Sequence, residues 1–238
     1  VWSGRIAAVL RDALGLLPGN RVLLRGFNHP AMVACWLGVQ KAGGVAVTSM
    51  PLLRAQELRQ MLDKARIRFA LCDARLLDEL ELACQSAMEA VRVLPFNVPG
   101  SLAERGEDSL ETLLEQVVSE GGGVAAHAAR PDDPALIAFT SGTTGIPKAS
   151  VHTHRDILAI CDAFPVAALQ PRPDDVFCGV SPLGFTYGLG GLLCFPLRYG
   201  ASSLLLERTT PHAMLAAMER HQATVCFGVP TFWRQMSG

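Results

Sequence analysis

Hydrophobic positions in the first part of the chain alternate between helical spacing and short apolar runs. An opening helix is predicted over residues 5–17, where apolar side chains recur once per helical turn before a Pro-Gly pair. The pattern then predicts strands at Arg21–Phe27, Gly44–Thr48, Ile67–Cys72 and Val91–Leu94, and helices at Pro30–Ala42, Leu53–Ala65 and Ala74–Ala90. Strands that alternate with helices of about 10–15 residues indicate crossover units. We therefore predict an α/β fold with largely parallel sheets.

This alternation breaks between residues 99 and 134. The segment holds one amphipathic stretch, Ser109–Ser119, followed by consecutive glycines and a Pro-Asp-Asp-Pro turn. We interpret it as a surface connection between two halves of one sheet system, residues 1–98 and residues 135–238. A linker between separate domains is the alternative interpretation.

The second half resumes the alternation. Ala135–Phe139 predicts a short buried strand, and His152–Leu169 has helical spacing. Beyond them, the pattern predicts strands at Asp175–Val180, Ala201–Leu206 and Thr224–Val229 and a helix at Pro211–His221. The candidate chemistry lies between these elements.

Composition narrows the class of protein. Half of the residues are hydrophobic, 18% are charged and the net charge is −1, which argues against a disordered chain and gives no electrostatic reason to expect nucleic acid. No run reaches the roughly 18 apolar residues of a membrane helix. The seven cysteines are scattered and never in Cys-x-x-Cys spacing, which favours a reduced, cytoplasmic setting.

One polar run follows the predicted strand Ala135–Phe139. It reads Thr140-Ser141-Gly142-Thr143-Thr144-Gly145-Ile146-Pro147-Lys148, with four hydroxyls, two glycines and one lysine in nine residues. Glycines allow positive φ, so successive N–H groups can point into one concavity that attracts anions. The hydroxyls add donors and the lysine adds a full positive charge. A loop of this kind, between a strand and a helix, is suited to a polyphosphate.

The residues around Lys148 exclude a Walker A loop. That motif needs a glycine before its lysine and a hydroxyl residue after it, whereas Pro147 and Ala149 occupy these positions. The run resembles instead the Thr-Ser-Gly-Thr-Thr-Gly-x-Pro-Lys signature of the adenylate-forming superfamily: acyl- and aryl-CoA ligases, peptide-synthetase adenylation domains and luciferases. All fixed positions match, although Ala149 replaces the glycine usual after the lysine. A plain Gly/Thr turn is the alternative that nine ordered positions argue against.

A second informative stretch, Ser181–Gly191, combines a proline-broken strand end with a glycine-rich loop that carries Phe185 and Tyr187. Glycines beside aromatic rings leave space for a flat ligand, although a tight turn with both rings packed inward is the alternative. The stretch resembles the acid-binding motif of the same superfamily, most closely that of benzoate- and 2-aminobenzoate-CoA ligases. His152–Asp162 and Phe195–Ala201 resemble the same subgroup.

The resemblance implies the site residues. The phosphates of ATP, and then pyrophosphate, would be held by Thr140, Ser141, Gly142, Thr143, Thr144, Gly145 and Lys148. The aryl carboxylate would be bordered by Thr186, Tyr187 and Gly188, with Phe185 as the alternative wall. No catalytic residue is assigned.

The activity implied is that of an AMP-forming acid–thiol ligase of aromatic compound degradation. With ATP and Mg²⁺, the enzyme would convert benzoate or 2-aminobenzoate to the acyl adenylate and pyrophosphate, and coenzyme A would then displace AMP. No metal site is expected on the chain, since His152 and His154 diverge on a helix start and lack an acidic or cysteine cluster. We expect no nucleic acid or membrane partner.

The resemblance runs from about Gly4 to the last residue. It implies an incomplete N-terminal AMP-binding domain, because the family's adenine- and ribose-binding residues and its mobile C-terminal lid domain with a catalytic lysine would follow. We therefore expect the chain to be inactive alone. Another adenylating enzyme, such as a peptide-synthetase adenylation domain or acyl-CoA synthetase, and a non-catalytic nucleotide-binding module stay open. So do the identity of the acid and whether the protein is a homo-oligomer.

Overall fold

The structure, a computed structural model, describes residues 2–100, 108–119, 125–140 and 147–236. Two compact units are present. The first comprises Val1–Gly26 and Ala31–His154, and the second comprises Phe27–Pro30 and Arg155–Gly238. None of the helices in the described ranges is both long enough and apolar enough to cross a membrane.

The first unit is built on a six-stranded sheet with the order β4-β3-β1-β2-β5-β6. Its strands are β1 Arg21–Arg25, β2 Val45–Ser49, β3 Phe69–Asp73, β4 Arg92–Phe96, β5 Pro134–Thr140 and β6 Lys148–Thr153. Its helices are α1 Trp2–Ala8, α2 Pro30–Lys41, α3 Ala55–Ala65, α4 Leu77–Gln85 and α5 Leu110–Ser119, with π-helical Val9–Ala13 and a 3₁₀ turn Ala74–Leu76. Strands β1 to β5 pair in parallel. The predicted α/β class and parallel sheet are thus confirmed.

The central strands are buried on both faces. Val22, Leu23 and Leu24 of β1 are fully buried, and all five residues of β2 are buried. Crossover helices cover both faces of a parallel sheet, so its inner strands are continuously apolar rather than alternating. This burial explains why short apolar runs in the sequence located these strands.

Strand β6 differs from the sequence expectation, which placed a helix from His152. It runs antiparallel to β5, with Thr140 opposite Lys148 and Leu136 opposite His152. The polar run at 140–148 therefore joins two strands of a hairpin rather than a strand and a helix. Because β5 also pairs with β2, the hairpin extends the same sheet as β1 to β4, and both of its strands belong to the first unit.

The second unit contains a three-stranded parallel sheet with the order β8-β7-β9. Its strands are β7 Val176–Gly179, β8 Ser202–Ser203 and β9 Val225–Phe227. Its helices are α6 His154–Phe164, α7 Thr186–Leu189, α8 Phe195–Tyr199, α9 Pro211–His221 and α10 Pro230–Met236, with π-helical turns at Pro165–Leu169 and Gly190–Cys194. The predicted glycine-rich loop is therefore helical from Thr186 onward. Gly188 and Gly191 of this stretch allow close packing against Pro182 and Phe227.

Candidate functional site

The candidate phosphate loop leaves β5 at Thr140 and returns at Lys148. The strand is buried from Ala135 to Ala138 and becomes exposed at Thr140, and Lys148 is exposed as well. Since these two residues face each other across the ladder, the hairpin places a hydroxyl and an ammonium-bearing side chain at the same end. Ser141, Gly142, Thr143, Thr144 and Gly145 lie outside the described residues.

A second lysine approaches this hairpin from helix α3. Lys64 Nζ donates a hydrogen bond to the carbonyl oxygen of Pro147 over 2.7 Å. Only the folded chain brings these residues together, because they are separated by 83 positions. Sequence reasoning therefore missed Lys64, which ties the residue before Lys148 to the helix.

An open cavity of about 570 Å³ lies between α3 and the hairpin end. Its apolar floor includes Met50, Met61 and Phe139, and Thr140 and Pro147 border it. On the α3 side, Arg54 pairs with Glu79 over 2.7 Å. The Arg54 bond and a bond from the Ala55 N–H hold the pKa of Glu79 below its ordinary value.

The candidate acid segment, Phe185–Tyr187, presents three consecutive exposed side chains. Phe185 is 41% exposed and Tyr187 is 40% exposed, with Thr186 exposed between them. Gly188 is buried. A Cβ atom there would lie 2.1 Å from the carbonyl oxygen of Pro182 and 2.6 Å from that of Ser181, so no side chain fits. Phe185, Thr186 and Tyr187 can thus meet a ligand, whereas Gly188 lets the helix start pack against the preceding turn.

Tyr187 contacts the end of strand β9 and the residue that follows it. Its ring meets the edge of Phe227 at a centroid distance of 5.6 Å, and its hydroxyl donates to the carbonyl oxygen of Gly228 over 3.3 Å. Burial, followed by the nearby Cys226, raises the pKa of the phenol above its ordinary value. Tyr187 therefore stays a neutral hydrogen-bond donor at neutral pH.

The Tyr187 ring belongs to a cluster of aromatic rings around Phe227. Phe227 stacks on Phe177 at 6.2 Å and contacts Phe195 at 6.0 Å. A Cβ atom on Gly191 would lie 2.7 Å from the Phe227 ring, so this position requires a glycine. The sequence signal for Phe227 was weak, since a lone phenylalanine in a predicted strand is typical of any core.

The two histidines considered as metal ligands lie at the end of β6 and the start of α6. His152 pairs opposite Leu136, and the His154 backbone N–H donates to Asp133. Burial lowers the pKa of His154, with Asp133 acting in the opposite direction. Across the described ranges, no three His, Cys, Asp or Glu side chains group as a metal site would require.

Comparison with known proteins identifies the family of this chain. The model of the AMP-binding enzyme family matches residues 2–237. The chain therefore belongs to the AMP-binding family of adenylate-forming enzymes.

Similar proteins include ligases of aromatic acids. The chain is 35% identical over 236 residues to a benzoate–CoA ligase of Thauera aromatica, covering 98% of this chain and 42% of that protein. It is 30% identical over 238 residues to the p-hydroxybenzoic acid–AMP ligase FadD22 of Mycobacterium tuberculosis, covering 98% of this chain and 30% of that protein. The crystal structure of a benzoate CoA ligase from Burkholderia xenovorans LB400 superposes with a TM-score of 0.84 at 28% identity, covering 99% of this chain and 45% of that one. The chain thus spans less than half the length of these relatives.

Proposed function

We propose that the protein carrying this chain is an AMP-forming aryl-CoA ligase. It activates benzoate or a close relative such as 2-aminobenzoate with ATP, releases pyrophosphate and transfers the acyl group from AMP to coenzyme A. The observation that carries the proposal is the 35% identity to a benzoate–CoA ligase across 98% of the chain. The exposed aromatic segment Phe185–Tyr187 supports an aryl acid as the substrate.

In this proposal the hairpin end binds the phosphates of ATP. Lys148 and the hydroxyl of Thr140 offset negative charge while the carboxylate oxygen attacks the α-phosphorus. They would bind the phosphates together with Ser141, Gly142, Thr143, Thr144 and Gly145. Mg²⁺ would arrive with the ATP phosphates, whose oxygens it prefers. The described part of the chain supplies no ligand cluster for it.

The acid segment would bind the aromatic ring. Phe185 and Tyr187 offer ring faces and edges to a flat substrate, and Thr186 offers a hydroxyl. Because the Tyr187 hydroxyl is already directed to Gly228, its ring rather than its oxygen is available. This arrangement favours an uncharged aryl group over a flexible alkyl chain.

The test is pyrophosphate exchange by the full-length protein. We expect ATP–pyrophosphate exchange with benzoate or 2-aminobenzoate at least tenfold above that with a medium-chain fatty acid, roughly the discrimination of one or two well-fitted contacts. Addition of coenzyme A should then release AMP and form an aryl thioester. A preference for the fatty acid would contradict the assignment of the acid segment.

A second candidate is an adenylating enzyme that delivers the acyl group to another acceptor. The relative named p-hydroxybenzoic acid–AMP ligase, 30% identical over 98% of the chain, favours it. Exchange with an aryl acid but no coenzyme A thioester would support this candidate over the first. A non-catalytic module would show neither reaction.

A further inference from the structure

Asn28 lies in the short segment Phe27–Pro30, which belongs to the second unit. The residue is only 6% exposed. The amide nitrogen donates to the carbonyl oxygen of Ser181 over 3.1 Å, and the amide oxygen accepts from the backbone N–H of Leu183 over 2.7 Å. One side chain thus binds two backbone groups more than 150 residues away in sequence.

These two bonds fix the turn that precedes the acid segment. Burying an amide is unfavourable unless its donor and acceptor are both used, and Asn28 uses both on the same turn. Its bonding imitates that of a neighbouring strand, whose peptide groups would present the same alternation of N–H and C=O. Ser181 and Leu183 are themselves buried, so both bonds are shielded from water.

This turn, Ser181–Leu183, also positions the start of α7. The Pro182 carbonyl oxygen accepts a hydrogen bond from the Phe185 N–H over 3.0 Å. Gly188 packs against the carbonyl oxygens of Ser181 and Pro182 so closely that no Cβ atom fits. A shift of the turn would therefore move the exposed side chains of Phe185, Thr186 and Tyr187, which lie between these two contacts.

We propose that Asn28 is a positioning residue for binding of the carboxylate substrate. It does not touch the substrate; it holds the turn that sets the orientation of Phe185–Tyr187. The inference rests on the proposed function, in which these three side chains border the aryl acid. It predicts that Asn28 governs the affinity for the acid but not the affinity for ATP.

The experiment compares two variants of the full-length protein with wild type. Asn28→Ala removes both bonds. Asn28→Asp keeps the shape and the oxygen that accepts from Leu183, and removes the donor to Ser181. Asn20→Ala is the matched control, because Asn20 also accepts a backbone N–H, that of Leu17, but lies in the first unit.

We expect the KM for benzoate to rise about tenfold in Asn28→Ala, equivalent to one lost net hydrogen bond or slightly more. The KM for ATP should stay within about twofold of wild type in both Asn28 variants. Asn20→Ala should leave both KM values unchanged. If Asn28→Ala yields little folded protein, Asn28→Asp is measured instead. The expected result is again a higher KM for benzoate with the KM for ATP within about twofold of wild type.

An unchanged benzoate KM in a folded Asn28 variant would overturn the inference. So would an equal rise of both KM values, which would indicate a general structural role. If wild-type protein activates no aryl carboxylate, the proposed function fails and the inference fails with it. Wild-type activity combined with an unaffected variant refutes the inference alone.

Discussion

At the scale of single residues, Lys148 carries the clearest prediction. It is exposed and faces Thr140 across the hairpin end, where a polyphosphate would need a cation. Lys148→Ala should weaken ATP binding by roughly 1.5–3 kcal/mol, the usual contribution of a charge-assisted hydrogen bond, or about 10- to 150-fold. Calorimetric titration of the full-length protein with Mg·ATP measures this.

Lys41 provides the control, since it is a lysine of the same unit at the end of α2. Lys41→Ala should bind ATP as wild type does. Equal affinity of the folded Lys148→Ala variant and wild type would remove Lys148 from the phosphate site.

Gly188 carries a second prediction, on stability rather than on binding. A methyl group at this position would overlap backbone oxygens at 2.1 and 2.6 Å, which cannot rotate away as a side chain would. Gly188→Ala should therefore lower the free energy of unfolding by roughly 1–3 kcal/mol, as overpacked sites do. Chemical denaturation checks the value.

Gly4 in α1 is the corresponding control, because a Cβ atom there meets nothing within 4 Å. Gly4→Ala should be neutral or stabilising by about 0.5–1 kcal/mol, since alanine is the better helix former. A Gly188→Ala variant as stable as wild type would mean that the turn and α7 are not packed as described.

At the scale of elements, helix α3 and the β5–β6 hairpin act together through Lys64. Its bond to the Pro147 carbonyl is charge-assisted but solvent-exposed, so a net contribution of about 0.5–1.5 kcal/mol is expected. Lys64→Met should weaken ATP binding by about 2- to 12-fold, less than the loss of Lys148. The same calorimetric titration measures both variants; an affinity equal to wild type would show that the phosphate site does not depend on this bond.

The elements also show what the sequence could and could not predict. The buried parallel strands were predicted correctly because both of their faces are apolar. Each therefore appears as a continuous hydrophobic run in its own sequence, whatever strand it pairs with. Strand β6 was missed because Lys148–Thr153 mixes polar and apolar residues and none of them is buried. Its pairing with β5 makes it a strand. The helical state of Gly188–Gly191 was missed for the opposite reason: packing against Pro182 and Phe227 overrides a composition that favours loops.

The candidate site divides in the same manner. The sequence motifs identified Thr140, Lys148 and Phe185–Tyr187 as candidates, and the structure places the described ones at the hairpin end and on the exposed start of α7. Their roles in binding stay predictions. Lys64 and Asn28 could not be found in this way, because each acts through a contact with a distant backbone group and neither belongs to a local motif.

At the scale of the whole molecule, the two candidate binding segments belong to different units. The hairpin end lies in the first unit, and the acid segment and Asn28 lie in the second. Each unit holds its segment through its own contacts: Lys64 with Pro147 in one, Asn28 with Ser181 and Leu183 in the other. Substitutions in one unit should therefore change the affinity for one substrate, which is the separation that the Lys148 and Asn28 variants test.

The second unit also leaves apolar surface exposed. Leu158, Ile160, Phe164, Val166 and Leu197 are each about half exposed. In its three-stranded sheet the described edge strands are β8 and β9, and unpaired strand edges promote association. Exposed apolar surface of this kind favours association and the binding of hydrophobic probes.

The last prediction concerns residues 1–238 produced alone. This chain spans 42% of the benzoate–CoA ligase and 30% of the p-hydroxybenzoic acid–AMP ligase that it matches. Under the proposed function, we therefore expect the chain alone to lack groups that position the reactants. Positioning can supply roughly 7–11 kcal/mol of the barrier reduction, so its partial loss should lower pyrophosphate exchange by several orders of magnitude. The chain should also bind a hydrophobic fluorescent dye more strongly than the full-length protein does. The two proteins are compared at equal concentration with benzoate and 2-aminobenzoate; exchange by the 238-residue chain near the full-length rate would show that these residues contain the complete adenylation site.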